Sequence, residues 1–527
     1  EVERDLLTAQ GIELASGGKQ KIFEEQFLIY RGLTRPSKGL WLTYAANDAE
    51  GRELSPSSLI ERLQRLDEGL QIEPMPAFDL EETAPTAVLH LLGGEMRKAT
   101  AEAPLSPLWQ DIYGFFDENS QWQKHLSLLK QGIGKTAKPE RLSPKTAKAL
   151  YGKNIFSSVS RLERFAGCPF SFFAEYGLKA EERRLYQLNT PDLGSLFHEV
   201  LELFSNKLEQ DSLPWTSLTK EETTARIHAA VEDAAPRLGN RILLDSAANQ
   251  YLIRRLKRIS TRAAWTLVQH LQQGDFVPAG YEVGFGAHEA LPPIVIRLQD
   301  GGSLILNGKI DRVDLLDANG TRYVKIIDYK SGNKTFHFQD IYYGLQLQLL
   351  VYLDAYLKYY KKTGASFKPG GVFYFRITDP TLALDEELSA EAIEKILYEK
   401  MRMSGLLLQE DVLIHGLDHS LAESRSSAIV PVGYTKKGDP TAASNLATEA
   451  ILDFVATRTQ EIGDAMKAGI ITPAPYRDGQ RTPCSYCSYR SLCRHSYGEA
   501  PRWRKLKKID KADFWESITP KQPPETE

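Results

Sequence analysis

Residues 306 to 352 read LNGKIDRVDLLDANGTRYVKIIDYKSGNKTFHFQDIYYGLQLQLLVY. Two runs in this stretch have strand character. Lys309 to Leu315 largely alternates polar and apolar side chains, with one slip at Asp311-Arg312, and Tyr323 to Ile327 is a short β-rich run closed by Ser331, Gly332 and Asn333. Asn319-Gly320 between them suits a two-residue hairpin turn. With that turn Ala318 pairs with Thr321, and the same register carries Asp311 opposite Asp328 on one face. Two carboxylates held together at neutral pH repel, and a hard divalent cation with oxygen ligands, typically Mg²⁺, is the usual remedy. Such an ion activates water and stabilises charge on a phosphoryl oxygen. The period of two places Lys330 on the face of Asp328, where it can position or help deprotonate the attacking water.

Composition sets the limits around this stretch. A chain of 527 residues exceeds one ordinary core and predicts two to four domains. With 42% hydrophobic and 25% charged residues it is globular in type. No apolar run approaches the ~18–20 residues that cross a bilayer, and Glu1-Val2-Glu3-Arg4-Asp5 does not begin a signal peptide. The expectation is a cytoplasmic chain with no membrane contact. A net charge of −4 gives no global attraction for nucleic acid, so any such contact must come from local patches.

Taken in order, the chain opens without Met inside a predicted helix, Glu3 to Gln10, and reads as part of a longer protein. Residues 24 to 44 predict an amphipathic helix followed by a strand, Gly39 to Tyr44. Helices are predicted over 56–66 and 106–131, the second with Trp109, Tyr113, Phe116, Trp122 and Leu126 at core spacing. Gly132-Ile133-Gly134-Lys135-Thr136 is no phosphate loop, because the first glycine of that motif falls on Leu129. Residues 132–149 read as a linker and 150–511 as a second domain. Ser158 or Ser160 can cap a helix that Cys168-Pro169-Phe170 interrupts. A helix over Leu193 to Leu208 carries His198, with Glu199 about 100° away from it. Gln250 to Gln272 is a long helix with Arg254, Arg258 and Arg262 four apart. That stripe reads equally as a DNA-backbone contact or as a solvated basic face. Strands follow at Tyr281 to Phe285, with Glu282 read as solvated, and at Ile294 to Leu298. One helix, Gln339 to Lys361, puts Gln348 and Tyr352 on a shared face, and a strand covers Gly371 to Ile377. Residues 381–428 read as helix and loop, and Asn445 to Lys467 as a helix. Residues 512–527 read as a tail, disordered from Thr519 onward.

The cysteines carry a second signal. Cys484, Cys487 and Cys493 form C-x₂-C-x₅-C, and the remaining cysteine, Cys168, lies 316 positions before Cys484, on the other side of the Asp311–Lys330 stretch. Four thiolates suit zinc or a [4Fe-4S] cluster, and spacing does not choose between them. Around the trio, residues 481–511 hold nine Lys or Arg against Glu499 and Asp510. Arg502, Trp503 and Arg504 within that patch match the mixed basic and aromatic surfaces that hold single strands, or a solvated basic tail.

Gly308-x-Ile310-Asp311, Asp328-x-Lys330 and Gln348-x-x-x-Tyr352, with Gly194-Ser195-Leu196-Phe197-His198-Glu199 upstream, resemble the RecB-type nucleases of the PD-(D/E)xK superfamily. The resemblance implies an α/β, restriction-endonuclease-like domain whose mixed central sheet is flanked by helices. It implies metal ligation by His198, Asp311, Asp328 and the Tyr329 carbonyl, a catalytic Lys330, and Gln348 and Tyr352 supporting the site or touching DNA. The cysteine arrangement, with the EEQFLIYRGLT segment before it, is similar to the AddB components of bacterial AddAB helicase-nucleases. In those proteins four such thiolates hold a [4Fe-4S] cluster. Residues 1–131 would then end a helicase-like domain, in which Arg35 resembles the γ-phosphate arginine of the sixth helicase motif. The implied function is a Mg²⁺-dependent exonuclease subunit that processes double-strand DNA ends for recombinational repair, degrading the 5′-terminated strand beside an AddA-like helicase-nuclease. The alternative is a DNA-binding scaffold whose nuclease fold is inactive and supports a partner motor.

Overall fold

The hairpin forms in the predicted register. In the computed structural model, residues 308–318 and 321–330 pair antiparallel, Ala318 with Thr321 and Arg312 with Ile327. Asn319 and Gly320 turn at φ 52° and 73°, the two positive values of a type I′ turn. The ladder ends at Arg312–Ile327, one step short of the expected Asp311–Asp328 pair. There the Asp311 carboxylate turns to accept the Tyr329 N–H at 2.6 Å.

The structure describes residues 9–10, 18–47, 53–67, 69–73, 83–99, 104–133, 141–181, 190–237, 247–382, 388–407, 410–434, 436, 441, 445–493 and 503–519. Most of the helix expected over Glu3 to Gln10 lies outside these residues. The chain divides into two units, Glu1–Thr136 and Ala137–Glu527.

The first unit has five helices among its described residues: α1 (Gly18–Thr34), α2 (Ser58–Leu66), α3 (Pro85–Lys98), α4 (Pro107–Glu118) and α5 (Ser120–Ile133). The single helix expected over 106–131 is broken at Asn119, whose extended backbone ends α4 and whose side chain accepts the Gln121 N–H. Leu89, Leu92, Phe116 and Leu126 form the small core, with Trp109, Tyr113 and Trp122 against it, as the spacing predicts. Gly39 to Tyr44 joins no ladder, contrary to expectation. No other strand is described in this unit to pair with it, and Trp41 is 91% exposed.

The second unit begins with α6 (Pro144–Tyr151), capped by Ser143, so the later part of the expected linker is helical. Next come β1 (Asn154–Ser157) and α7 (Val159–Gly167), capped by Ser158, which accepts the Arg161 N–H. Pro169 stops α7, and Cys168 sits buried at the bend. Three helices follow, α8 (Thr190–Gln210), α9 (Lys220–Ala234) and α10 (Ala247–Gln272), then β2 (Val277–Phe285), β3 (Ile294–Arg297) and β4 (Ser303–Leu306). The hairpin strands are β5 (Gly308–Ala318) and β6 (Thr321–Lys330). After them stand α11 (Phe338–Tyr342), α12 (Gln348–Lys362), β7 (Phe367–Arg376), α13 (Ala390–Lys400), β8 (Ser404–Leu407), α14 (Asp411–Leu417) and α15 (Asn445–Lys467). Two short strands, β9 (Tyr476–Arg477) and β10 (Arg504–Lys505), and α16 (Lys511–Ile518) complete the unit.

The central sheet has the order β2-β5-β6-β7-β8, parallel at β6/β7 and antiparallel elsewhere. The expected mixed sheet is therefore present, with an edge strand, β8, in a region read as helix and loop. β6 is covered on both faces: Tyr323, Ile327 and Tyr329 join the core of α8, α9 and α10, while Val324 and Ile326 join that of α7, α12 and α15. Burial on both faces explains why its sequence is a continuous apolar run. β3 belongs to a separate sheet, β1-β4-β3.

Two further expectations are corrected. Gly344 adopts φ 74° and ends α11, so the single helix predicted over 339–361 is two, and Gln348 becomes the first residue of α12. In place of a tail from 512, α16 seats Phe514 fully buried against Phe338 and Phe454. Among the described residues no helix is long and apolar enough to cross a membrane.

Candidate metal centre

α8 presents His198 to the edge of the sheet where β2 and β5 run side by side. His198 Nδ1 lies 3.4 Å from Asp311 Oδ2 and 4.0 Å from Glu282 Oε1. One ligand atom from each of the three falls within 4.8 Å of the others, the only such group of His, Cys, Asp or Glu among the described residues. Glu282, expected to be solvated, instead joins the centre. It falls between the pairs Tyr281–Arg312 and Val283–Ile310, and therefore beside Asp311. Its φ of 46° is uncommon for a residue with a long side chain. The β2/β5 register would have revealed it, but no short turn joins those strands to fix a register in advance.

Asp328 stands on the other side of Asp311. It is buried and ion-paired to Lys330, which confirms that the two share a face. Burial, and then the charge of Asp311, push its carboxyl up to about 6 against the pull of Lys330. The same two causes push Glu282 up to about 7. Burial draws the His198 pKa down, but the hydrogen bond and charge of Asp311 outweigh it and leave the imidazole above its usual value. Every shift favours the protonated form, the response of ligands crowded together with no cation among them. The donor set, one imidazole and three carboxylates with Tyr329 bonded to Asp311 through its N–H, suits a hard divalent ion.

A pH dependence follows. Ligation needs Glu282 and Asp328 ionised and His198 neutral, so affinity for Mn²⁺ should rise with pH through about 6 to 7, with protons released on binding. In the metal-free protein the sign is opposite. The folded state holds these protons more tightly than the unfolded chain, so stability should fall as pH rises through the same window. Calorimetric titration in buffers of different ionisation heat measures the first effect, and thermal melts in EDTA measure the second.

The remaining predicted residues build the wall behind the acids. Tyr352 is buried and stacks on Phe285 at 5.6 Å. A Cβ on Gly308 would collide with its hydroxyl oxygen, so the glycine of Gly308-x-Ile310-Asp311 is there to admit the ring. Gly308→Ala should cost about 1–3 kcal/mol of stability by overpacking, read from urea denaturation. Gln348 opens α12, where the Glu163 carboxylate of α7 accepts the N–H groups of Leu347 and Gln348 at 2.8 and 3.1 Å and binds Lys334 at 3.2 Å. Glu163 has no signal in the sequence, since its role depends on α7 docking across the sheet. At Gly194 a Cβ would stand 3.0 Å from Ser331 Oγ, so this glycine lets α8 approach the loop after Lys330.

The cysteine segments come together across the domain. The Cys168 thiol is pushed up by burial and by Cys484, and that of Cys484 by burial and by Cys487 and Cys493. Arg481 grips Asp340 with two bonds of 2.8 and 2.6 Å, Gln339 donates to Asp478 at 3.0 Å, and the Tyr489 hydroxyl donates to the Ala180 carbonyl at 2.9 Å. Of the residues predicted to touch DNA, Arg504 instead donates to the carbonyls of Ala166 and Gly167, beside Cys168. Trp503 receives the Arg477 guanidinium at 5.2 Å from its ring centre. Arg258 and Arg262 are ion-paired to Asp379 at 2.8 and 3.2 Å. Arg502 lies outside the described residues.

A five-stranded mixed sheet with a histidine and three acids at one edge defines a metal-dependent nuclease class. The model of the PD-(D/E)XK nuclease superfamily matches residues 157–494, and that of the ATP-dependent helicase/deoxyribonuclease AddB fifth domain matches residues 83–132. Curated relatives agree, each the second, B-type component of an ATP-dependent helicase/deoxyribonuclease. The one from Alkaliphilus oremlandii is 38% identical over 98% of this chain and 46% of its own length. That of Alkaliphilus metalliredigens is 39% identical over 93% and 43%, and that of Thermoanaerobacter sp. 34% over 98% and 46%. The chain belongs to the PD-(D/E)XK nuclease superfamily and, within it, to the AddB family. It spans about half the length of the relatives it matches.

Proposed function

We propose that this chain carries the deoxyribonuclease centre of an AddB-type subunit and hydrolyses DNA phosphodiesters with Mg²⁺. The observation that carries this reading is the convergence of His198, Glu282 and Asp311 within 4.8 Å, beside Asp328 and Lys330. His198, Asp311, Asp328 and the Tyr329 carbonyl would hold the ion, with Glu282 joining them or taking the proton of a water in their shell. The ion supplies, when bound, Lewis acidity toward water and the phosphoryl oxygen. Lys330 neutralises Asp328 and orients the attacking water toward phosphorus. Tyr352 and Gln348 hold β5 and the start of α12 in place behind these groups. By analogy with the relatives' name, the chain acts as a subunit on DNA ends within a helicase-nuclease, with an AddA-like partner and the 5′-terminated strand as substrate. The test is end-labelled duplex DNA with Mg²⁺ and no ATP: cleavage lost in EDTA supports the enzyme, and binding without cleavage supports the scaffold reading.

We further propose that Cys168, Cys484, Cys487 and Cys493 hold a [4Fe-4S] cluster. Tetrahedral zinc with sulphur at ~2.3 Å needs thiolates about 3.8 Å apart, whereas no three of these come within 4.8 Å of one another. That spacing favours a polynuclear cluster, whose cysteines sit on separate irons. Cys487→Ala should bleach a brown protein and lower its melting temperature, because the ring of about 320 residues is then no longer closed. A colourless parent with stoichiometric zinc would overturn the iron assignment.

A further inference from the structure

Apart from the acidic centre, α9, α10 and α13 enclose a cavity of 420 Å³, a size that suits a small ligand. Its rim is basic. Arg254, Lys257, Arg258 and Arg262 of α10 and Lys220 of α9 line it, against one lining carboxylate, Glu394. Lys257 is held from outside the lining by Glu232 at 2.6 Å, and Arg258 and Arg262 by Asp379. Lys220 reaches Glu394 at 3.7 Å. Arg254 is exposed and, among the described residues, has no carboxylate partner. The floor is apolar and aromatic, made by Trp265, Leu397, Tyr398 and Met401.

The helical period explains the order of these groups. Positions 254, 258, 262 and 265 follow one face of α10, so cations at successive turns run toward the indole. The Thr261 hydroxyl, which also lines the cavity, is buried and has no hydrogen-bond partner, an unusual state for a group without a ligand to meet. A row of cations ending on an aromatic floor is complementary to a phosphate followed by a base. It gives no base-edge readout, since stacking accepts any base.

We propose that this cavity is a second binding site that takes a nucleoside phosphate unit of single-stranded nucleic acid, its base on Trp265 and Tyr398 and its phosphate on Arg254 and Arg258. Three basic turns extend beyond what one phosphate can occupy, which favours a strand over a free nucleotide. The site stands independently of the cleavage reading, because binding here involves none of the acids and needs no divalent metal.

The test is tryptophan fluorescence of the whole chain, without added metal, titrated with oligothymidylate and separately with thymidine 5′-monophosphate. Oligothymidylate should quench part of the emission, and Trp265→Phe should remove that component. Arg254→Glu, at an exposed residue with no ion pair to break, should melt like the parent and weaken the quench about tenfold. Equal affinity for the monophosphate would keep the nucleoside phosphate chemistry but assign the site to free nucleotides. No quench by either ligand, or the same quench in Trp265→Phe, overturns the proposal. If Trp265→Phe does not fold, an Arg254→Glu titration indistinguishable from the parent overturns it as well.

Discussion

Asp311→Asn should lower Mg²⁺-dependent cleavage of end-labelled DNA by about three orders of magnitude or more. Asp311 is the junction of the centre: it faces His198 at 3.4 Å, accepts the Tyr329 N–H at 2.6 Å, and stands beside both Glu282 and Asp328. Asparagine preserves the shape and can still accept from Tyr329, but it removes the charge that a hard cation needs. The stabilisation lost at the transition state is several kcal/mol, and each ~1.4 kcal/mol is a factor of ten in rate. The fold should not suffer. Relief of repulsion on Glu282 and Asp328 should hold or raise the melting temperature in EDTA, separating a lost function from a lost structure. Cleavage within tenfold of the parent would remove Asp311 from the catalytic assignment.

The largest stability effect should come from a neighbour on the same strand. Arg312, Asp314 and Lys325 are all buried, in the core of α8, α9 and α10. Arg312 binds Asp314 through two bonds of 2.6 and 3.0 Å and lies over the Trp215 ring at 4.7 Å, while Lys325 reaches Asp314 at 2.9 Å. One carboxylate thus serves two buried cations. Asp314→Ala would leave both unpaired and should cost about 3–5 kcal/mol, measured as a fall in the urea midpoint. Asp314→Leu combined with Arg312→Met and Lys325→Met should recover much of that loss, since an apolar set of similar volume carries no desolvation cost. Nearby His270 fits the same account: burial and then the charges of Lys325 and Arg312 push its pKa down to about 3, so it stays neutral in the core. A single Asp314→Ala variant as stable as the parent would show that the two cations find other partners.

The slip in alternation at Asp311-Arg312 has its cause in this network. Arg312 turns inward to Asp314, an arrangement that a simple polar-out, apolar-in pattern does not foresee. The hairpin itself was legible because its determinants are local: a two-residue turn fixes the register, and the register places Asp311, Asp328 and Lys330. His198 could be found only as part of an ordered set of motifs, since a histidine on an apolar helix has no signature of its own. Glu282 could not be found, because β2 and β5 are joined through β3 and β4 and no short turn sets their register. Pairings across the fold were equally hidden. Asp379 neutralising Arg258 and Arg262, and Arg504 folding back to the carbonyls beside Cys168, depend on contacts distant in sequence. Helix breaks at Asn119 and Gly344 were hidden for another reason: the apolar spacing continues across both, and only the local backbone shows where each helix stops.

The central claim is that His198, Glu282, Asp311 and Asp328 form one metal centre. Anomalous scattering from crystals soaked in Mn²⁺ tests it most directly. The account predicts a peak bounded by His198 and Asp311, absent from Asp311→Asn crystals treated in the same way. An ordered Mn²⁺ ion elsewhere on the nuclease unit, with these four side chains bare, would contradict it.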